Sequence, residues 1–271
     1  MIQDWDKAYN NSVHIENANE FINIWRENAL VFRRKLQNLG RAKLDINYGN
    51  TEREKYDLFY PKDHIIKGLI FIAHGGYWKA FDKSYWSHLA QGACHQGYVV
   101  CIPSYTLAPN INLSGITKQF GRAIEHAAKS IEGPIYLIGH SAGGHLVTRM
   151  ITMTSPLSDE VFSRIHTTLS ISGIHDLRSL LFTQMKNTLD LKEEEAILES
   201  PVLLRPKLPC NLICCVGSSE NSEMIRQTDL LANIWTGLGA KTHCLHIPNK
   251  HHFNIISDLS SLQSHLINNM I

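Results

Sequence analysis

The chain has 271 residues, enough for one large domain or two modest ones with a substantial core. Its 26 basic and 25 acidic residues leave a formal net charge of +1, so no overall field favours nucleic acid or an anionic membrane surface as a partner. No apolar run approaches the roughly 18 residues that a membrane-spanning helix needs. The first residues also lack the basic start and apolar core of a signal peptide, so we expect a cytoplasmic protein.

The first predicted elements are a helical segment and two short strands. Apolar residues from Ile15 to Leu36 recur close to helical spacing, which predicts an amphipathic helix or a broken pair of helices over 15–38. The runs 43–48 and 55–60 alternate apolar and polar residues, as antiparallel or edge strands do, and Pro61 ends the second run.

From residue 68 onwards, predicted strands and helices alternate along the chain. The strands are nearly continuous apolar runs, typical of parallel strands covered on both faces, at 68–73, 98–102, 135–138, 167–171, 211–216 and 242–247. Helical patterns lie between or after them, at 84–95, 116–131, 142–152, 222–238 and 258–269. This order predicts an α/β fold with a mostly parallel, doubly wound sheet and antiparallel first strands.

The segment 176–208 separates two predicted strands and is too long for a plain loop. Its charged stretch 191–196 predicts a helix that overhangs the sheet. The chain shows no internal repeat, low-complexity tract or linker. We therefore predict a single domain over 1–271, with a small helical cap contributed by residues 1–40 and 176–208.

A Gly-x-Ser-x-Gly pattern carries the strongest chemical signal. Gly139 to Gly144 lies between the predicted strand 135–138 and the predicted helix 142–152, with Ser141 at its centre. At a strand–turn–helix junction this pattern forms a nucleophile elbow, a strained turn that exposes the serine hydroxyl. The sequence therefore predicts a serine hydrolase with Ser141 as the nucleophile.

A serine nucleophile needs a base beside it and an acid that orients the base, and in this type of fold they follow in the order serine, acid, histidine. Glu220 follows the strand 211–216, where the acid is expected, and His251 and His252 follow the last strand. We favour Glu220 and His252. Asp176 and Glu223 remain alternative acids, and His251 remains an alternative base.

The stretch after the strand 68–73 predicts an oxyanion hole. Backbone N–H groups of Gly75 and Gly76 can point at a developing oxyanion with no side chain in the way, together with the N–H of Ala142. Tyr77 and Trp78 come next and predict an aromatic wall for the substrate pocket.

Metal and nucleotide cofactors are not expected. His243 and His246 lie three apart on a predicted strand and therefore face opposite sides. The six cysteines show no C-x-x-C spacing, and the four within predicted strands suit small buried hydrophobes: Cys101, Cys214, Cys215 and Cys244. No phosphate-binding Gly-x-x-x-x-Gly-Lys sequence occurs either.

Together these motifs resemble the hormone-sensitive-lipase-like branch of the α/β-hydrolases, and within it the arylformamidase (kynurenine formamidase) group and related carboxylesterases. The resemblance spans about residues 45 to 260 and rests on the segments 56–61, 74–78, 104–109, 139–145, 172–177, 226–227 and 252–256. It implies an α/β-hydrolase fold with Ser141, Glu220 and His252 as a catalytic triad. It also implies Gly75, Gly76 and Ala142 as oxyanion donors.

The sequence departs from that group at three positions. Glu220 stands where the group usually has Asp, His251 where it usually has Asp before the base, and Ser104 where the wider branch often has an acidic residue. The resemblance implies a serine hydrolase that removes a small acyl group, formyl or acetyl, from an aryl amide such as N-formylkynurenine. The alternatives are a carboxylesterase for short-chain esters and a non-catalytic ligand-binding protein. The predicted partner is a small-molecule substrate, without cofactor, and the oligomeric state, a homodimer included, stays open.

Overall fold

Eight strands form one sheet in the computed structural model, which describes residues 2–63 and 65–271. In chain order the strands are β1 (Ala42–Asn47), β2 (Lys55–Phe59), β3 (Leu69–Ala73), β4 (Val99–Pro103), β5 (Ile135–His140), β6 (Ile165–Ile171), β7 (Asn211–Gly217) and β8 (Lys241–Ile247). All eight predicted strands are confirmed, with shifts of two residues or fewer at their ends.

The sheet has the order β1-β2-β4-β3-β5-β6-β7-β8. β1 pairs antiparallel with β2, and β2 pairs antiparallel with β4, whereas every pairing from β4 to β8 is parallel. The predicted mostly parallel sheet with antiparallel first strands is therefore confirmed. Its parallel part ends in one carboxyl edge, where loops from several strands meet.

The α-helices are α1 (Trp5–Tyr9), α2 (Ala18–Asn38), α3 (Ala90–His95), α4 (Leu113–Ala128), α5 (Ala142–Arg149), α6 (Asp159–Ser163), α7 (Met185–Leu189), α8 (Glu193–Leu198), α9 (Ser222–Gly237) and α10 (His265–Asn268). The amphipathic segment 15–38 forms α2, which buries Trp25, Phe32 and Leu36. No helix of the described residues combines the length and apolar character needed to cross a membrane.

The helices predicted at 84–95 and 258–269 are wrong in detail, and the first of them consists of the 3₁₀ turns Lys83–Tyr85 and Ser87–Leu89 followed by α3. The pattern at 258–269 forms a 3₁₀ turn, Ile255–Ser260, followed by the four-residue α10. Asp258, within the 3₁₀ turn, accepts hydrogen bonds from the Ser264 hydroxyl and from the Leu266 N–H in the first turn of α10, which favours a new helix start over continuation. The segment 176–208 holds α7, α8 and two 3₁₀ turns, since Asp190 turns the chain with φ of 46° and Pro201 begins a new turn.

The core lies on both faces of the sheet, because alternate residues of a strand face opposite sides. Leu69, Phe71 and Ala73 of β3 face the cluster that includes α4, α5 and α9. Ile70 and Ile72 face the other cluster, which includes α2 and α3. Three of the four cysteines expected to be buried are buried, Cys101, Cys214 and Cys215, but Cys244 is exposed because β8 is an edge strand.

Candidate active site

Ser141 lies in a sharp turn between β5 and α5, with φ of 56° and ψ of −118°. A non-glycine residue rarely adopts positive φ, and the turn is held by the Ser141 N–H, which donates to the Ile171 carbonyl at 2.9 Å. Glycine is required on both sides: a Cβ on Gly139 would lie 2.1 Å from the Gly143 carbonyl oxygen, and one on Gly143 would lie 2.1 Å from that of Ala73. The local geometry is that of the predicted nucleophile elbow.

Glu220 and His252 are in direct contact, although 32 residues separate them in the sequence. Glu220 lies in the turn after β7, and His252 lies in the loop after β8, the neighbouring parallel strand. Glu220 Oε2 is 2.7 Å from His252 Nδ1. Both side chains are almost fully buried, which strengthens the interaction by excluding water.

The second carboxylate oxygen of Glu220 is also occupied. Ser172 donates its hydroxyl to Glu220 Oε1 at 2.5 Å, and the Gly217 N–H donates to the same oxygen at 3.0 Å. Burial by itself raises the pKa of the Glu220 carboxyl, but the charge and hydrogen bond of His252 and the two other donors outweigh burial and lower that pKa. Glu220 is therefore held as a carboxylate that fixes the His252 ring.

His140 fixes the backbone of His252. Its Nε2–H donates to the His252 carbonyl at 2.9 Å, and the centroids of the two rings are 4.5 Å apart. Burial, followed by the neighbouring charge of His252, holds the pKa of His140 well below its usual value, so the ring stays neutral. Neither His140 nor Ser172 is among the site residues that the sequence predicts.

The alternative acids and the alternative base have other partners. Asp176 pairs with Arg178, and Glu223 pairs with Arg226 and accepts the Tyr9 hydroxyl at 2.7 Å. His251 accepts the Phe253 N–H and packs against an aromatic ring of α2. Among these candidates, Glu220 and His252 are the acid and histidine that contact each other.

Ser141 and His252 line the same cavity, which has a volume of about 160 Å³. In the described chain, no hydrogen bond joins the Ser141 hydroxyl to the His252 ring. Such contacts often tighten only when a substrate binds. The other lining residues are Asn10, Asn11, Ser12, Ile22, Trp25, Gly76, Tyr77, Lys79, Ala80, Phe81, Trp86, His140 and Phe253.

Within residues 2–63 and 65–271, the backbone N–H groups of Gly75, Gly76 and Ala142 near Ser141 have no acceptor. Gly75 directly abuts the nucleophile, since a Cβ added there would lie 3.2 Å from Ser141 Cβ. Gly76 has φ of 110°, and its backbone lines the cavity. These are the donors that the sequence predicts for an oxyanion.

The two aromatic residues predicted for the pocket lie in different parts of the structure. Tyr77 lines the cavity, as expected. Trp78 is fully buried in the core, where its ring lies edge-on to His145 at a centroid distance of 5.1 Å, and it does not belong to the cavity lining. Consecutive residues with φ of 50° and 56° turn their side chains in different directions, which the sequence did not reveal.

The N-terminal segment 2–38 covers the cavity, and we call it the cover. Asn11 donates to the Tyr77 hydroxyl at 3.0 Å, the Tyr77 hydroxyl donates to the Tyr9 carbonyl, and Asn221 donates to Asn11 at 2.7 Å. Farther along, Arg33 of α2 forms a partly buried ion pair with Asp57 of β2. Residues 10–12, Ile22 and Trp25 of the cover line the cavity, and a cap over a bound substrate stays a prediction.

The segment 176–208 does not reach this cavity in the described structure. Gln184, Met185 and Thr188 instead line an adjoining cavity of about 330 Å³, together with Asp6, Tyr9, Asn10, Tyr77 and Lys79. Lys79 and Asn10 belong to both cavities, so the two spaces meet beside them.

Comparisons with known proteins agree with this geometry. The model of an alpha/beta hydrolase fold family matches residues 70–204. A kynurenine formamidase from Salmo salar is 31% identical over 242 residues, covering 86% of this chain and 82% of the relative. The corresponding protein of Danio rerio is 28% identical, covering 83% of this chain and 79% of its own.

One solved structure matches over almost the whole length. A Silicibacter protein described as a candidate thioesterase is 40% identical, covers 98% of both chains and superposes with a TM-score of 0.93. The fold, the elbow and the similarity to these relatives lead to the same assignment: the chain belongs to the alpha/beta hydrolase family and is a relative of the kynurenine formamidases.

Proposed function

We propose that this protein is a serine hydrolase that removes a small acyl group, formyl or acetyl, from an aryl amide or ester through an acyl-enzyme. The observation that carries the proposal is the 2.7 Å contact between Glu220 and His252 at the cavity that Ser141 lines. A hydroxyl at a strained elbow, a buried histidine and a carboxylate held ionised are the parts that nucleophilic acyl transfer requires.

In the first half-reaction, His252 takes the proton of Ser141 as the serine oxygen bonds to the substrate carbonyl carbon. The carbonyl oxygen becomes an oxyanion, which the N–H groups of Gly75, Gly76 and Ala142 stabilise. His252 then gives its proton to the departing amine or alcohol as the carbon–nitrogen or carbon–oxygen bond breaks. Ser141 is left acylated.

In the second half-reaction, a water molecule replaces the leaving group. His252 takes a proton from the water, and the hydroxide attacks the acyl carbon. Collapse of the second oxyanion releases the acid, formate or acetate, and the proton returns to Ser141. Glu220 keeps the imidazolium oriented and stabilised in both halves without becoming protonated itself.

The size and lining of the cavity favour a small acyl group next to an aromatic ring. A volume of about 160 Å³ is small, and Trp25, Phe81, Trp86 and Phe253 supply aromatic surface. The curated relatives are called kynurenine formamidases, which supports N-formylkynurenine as the substrate class.

Opposite charges in the adjoining cavity support a substrate with an amino acid head group. Lys79 lies where the two cavities meet, and Asp6 lines the outer one. A carboxylate can pair with the Lys79 ammonium, and an ammonium can pair with Asp6. N-formylkynurenine carries both groups, whereas a simple short-chain ester carries neither.

The test compares turnover of N-formylkynurenine, p-nitrophenyl acetate and an acetyl thioester by one preparation, with Ser141→Ala as the control. The thioester is included because of the Silicibacter relative. A kcat/KM for the formamide far above that for the ester, abolished in the variant, supports the proposal. Retention of most activity in Ser141→Ala would overturn the serine mechanism.

The second candidate is a carboxylesterase acting on short-chain esters, which would use the same catalytic groups. Turnover of the esters without the formamide would favour it over a formamidase. A third candidate, a non-catalytic ligand-binding protein, predicts no turnover and no covalent labelling of Ser141 by a fluorophosphonate probe. Labelling of the wild type but not of Ser141→Ala would exclude it.

A further inference from the structure

Three side chains of different metal-binding chemistry meet on the outer part of the sheet, where α9 packs against the edge strand β8. Cys244 and His246 are two residues apart on β8, so their side chains face the same side of the sheet. Asp229 comes from α9 and lies above them. All three are exposed, and none belongs to the cavity that Ser141 lines.

Their ligand atoms are close enough to share one ion. The Asp229 carboxylate oxygen, Cys244 Sγ and His246 Nε2 all lie within 4.8 Å of one another. Asp229 Oδ1 is 2.7 Å from His246 Nε2 and 3.3 Å from Cys244 Sγ. Ligands of a tetrahedral zinc ion lie roughly 3.3–3.6 Å apart, given Zn–N and Zn–O lengths of about 2.0 Å and a Zn–S length of about 2.3 Å. Small side-chain rotations therefore suffice.

The set of donor atoms selects the kind of ion. Mg²⁺ and Ca²⁺ prefer oxygen ligands, whereas a thiolate and an imidazole together favour Zn²⁺ and similar transition metals. In the described chain, the one ion pair recorded for Asp229 is with His246, so no lysine or arginine competes for its carboxylate. The exposure of all three residues leaves the cluster open to ions from solvent.

We propose that Asp229, Cys244 and His246 form a surface Zn²⁺ site, with water as the fourth ligand. On binding, the Cys244 thiol and any protonated His246 release their protons to solvent, because the metal takes the thiolate and the neutral imidazole. The site is independent of the proposed hydrolase activity.

The position of the proposed Zn²⁺ site in the fold has a structural consequence. α9 begins at Ser222, two residues after Glu220, and β8 ends at Ile247, five residues before His252. A metal bound between α9 and β8 joins the two elements whose neighbouring loops carry Glu220 and His252. We expect Zn²⁺ to raise the melting temperature, with turnover unchanged.

The test is a titration of the metal-free protein with Zn²⁺ by calorimetry, and with Co²⁺ by absorption spectroscopy. We expect one equivalent of Zn²⁺ and a thiolate-to-Co²⁺ charge-transfer band. Cys244→Ser should abolish the band, and His246→Gln should weaken Zn²⁺ binding by about tenfold or more, since even residues behind the ligands contribute that much to metal affinity. His243→Gln is the matched control, because it lies on the same strand facing the opposite side.

The variants replace exposed side chains, so circular dichroism and turnover should match the wild type. Zn²⁺ affinity unchanged in both Cys244→Ser and His246→Gln, or a Co²⁺ spectrum without the charge-transfer band, would overturn the proposal. Loss of turnover on Zn²⁺ addition that persists in Cys244→Ser would show that the metal binds at His252 or elsewhere, and would also count against it.

Discussion

The carboxyl edge of the sheet and the cover that lies over it are positioned by different forces. At the sheet edge, backbone pairing sets the geometry: His140 is in register with Ile171, and Gly217 is in register with Ile247. Loops that follow neighbouring parallel strands must then meet, which brings the residues after β7 and β8 together. The contact between Glu220 and His252 follows from the strand order.

The cover has no strand to align it and depends on side-chain contacts. Tyr9 donates to Glu223, Asn221 donates to Asn11, and Arg33 pairs with Asp57. Aromatic packing adds to these bonds, with Trp25 against Trp86 and Phe253 at centroid distances of 5.1 and 5.3 Å. Under the proposed mechanism, the sheet edge supplies the reacting groups, whereas the cover limits the size and polarity of what fits.

The largest effect is expected at the sheet edge, in Glu220→Gln. The amide keeps the shape but cannot stabilise the imidazolium or fix its tautomer, so kcat should fall by about 10³- to 10⁴-fold. Steady-state kinetics with the best substrate measures this. Asp176→Asn is the matched control, since Asp176 pairs with Arg178 instead, and its kcat should stay near that of the wild type. Equal losses in the two variants would refute Glu220 as the acid.

Acid should destabilise the folded chain through its buried histidines, four of which lie next to the carboxyl edge of the sheet: His74, His140, His145 and His175. Burial holds the pKa of His74, His88 and His145 at about 4 and of His175 at about 3, and it lowers that of His140 well below 6.5. The unfolded chain protonates these rings near pH 6.5, so it binds more protons. The contribution of these histidines to the free energy of unfolding should therefore be fully present above pH 6.5. It should be lost as the pH drops towards 4, by up to about 1.4 kcal/mol per pH unit for each ring.

Urea unfolding at a series of pH values measures this dependence. His88→Leu provides the control, because burial alone lowers the pKa of His88. In this variant the slope of the unfolding free energy against pH should be smaller by the equivalent of about one proton. A stability that stays flat between pH 6.5 and 4.5 would contradict the prediction.

Removing the Trp25 side chain of the cover should affect both stability and binding. Trp25→Ala leaves a cavity beside Trp86 and Phe253, so the free energy of unfolding should drop by about 3 kcal/mol or more, and KM should rise. Denaturant titration and kinetics measure the two effects. Trp5→Ala is the comparison, because Trp5 stacks on Phe182 outside the cavity lining and its loss should leave KM unchanged. Equal KM shifts in the two variants would mean that Trp25 has no specific role in binding.

The smallest effect is expected at the meeting point of the two cavities. Lys79→Met should raise KM for N-formylkynurenine by about three- to tenfold, the scale of one partly exposed charge interaction. KM for p-nitrophenyl acetate should not change. Lys118→Met, an exposed position on α4, is the control. A parallel change with both substrates would mean that Lys79 does not recognise a carboxylate.

Much of the sheet edge could be predicted from the sequence, because short contiguous stretches of residues determine the strands and the elbow. The apolar runs specify the strands, and the glycines around Ser141 specify the elbow. Trp78 and Cys244 were misjudged because residue type does not reveal which way a left-handed turn points a ring, or that β8 is an edge strand. Ser172 and His140 were missed because their contacts with Glu220 and His252 join distant segments.

Tyr77 connects the two regions, because its hydroxyl contacts Tyr9 and Asn11 of the cover while its peptide follows Gly76 directly. Displacing residues 9–11 removes both partners of that hydroxyl and loosens the loop that presents the Gly76 N–H. Under the proposed mechanism, access for the substrate is therefore linked to the position of an oxyanion donor. A substrate that holds residues 9–11 in place would also hold the Gly76 N–H in place, so selection between substrates would act on kcat as well as on binding.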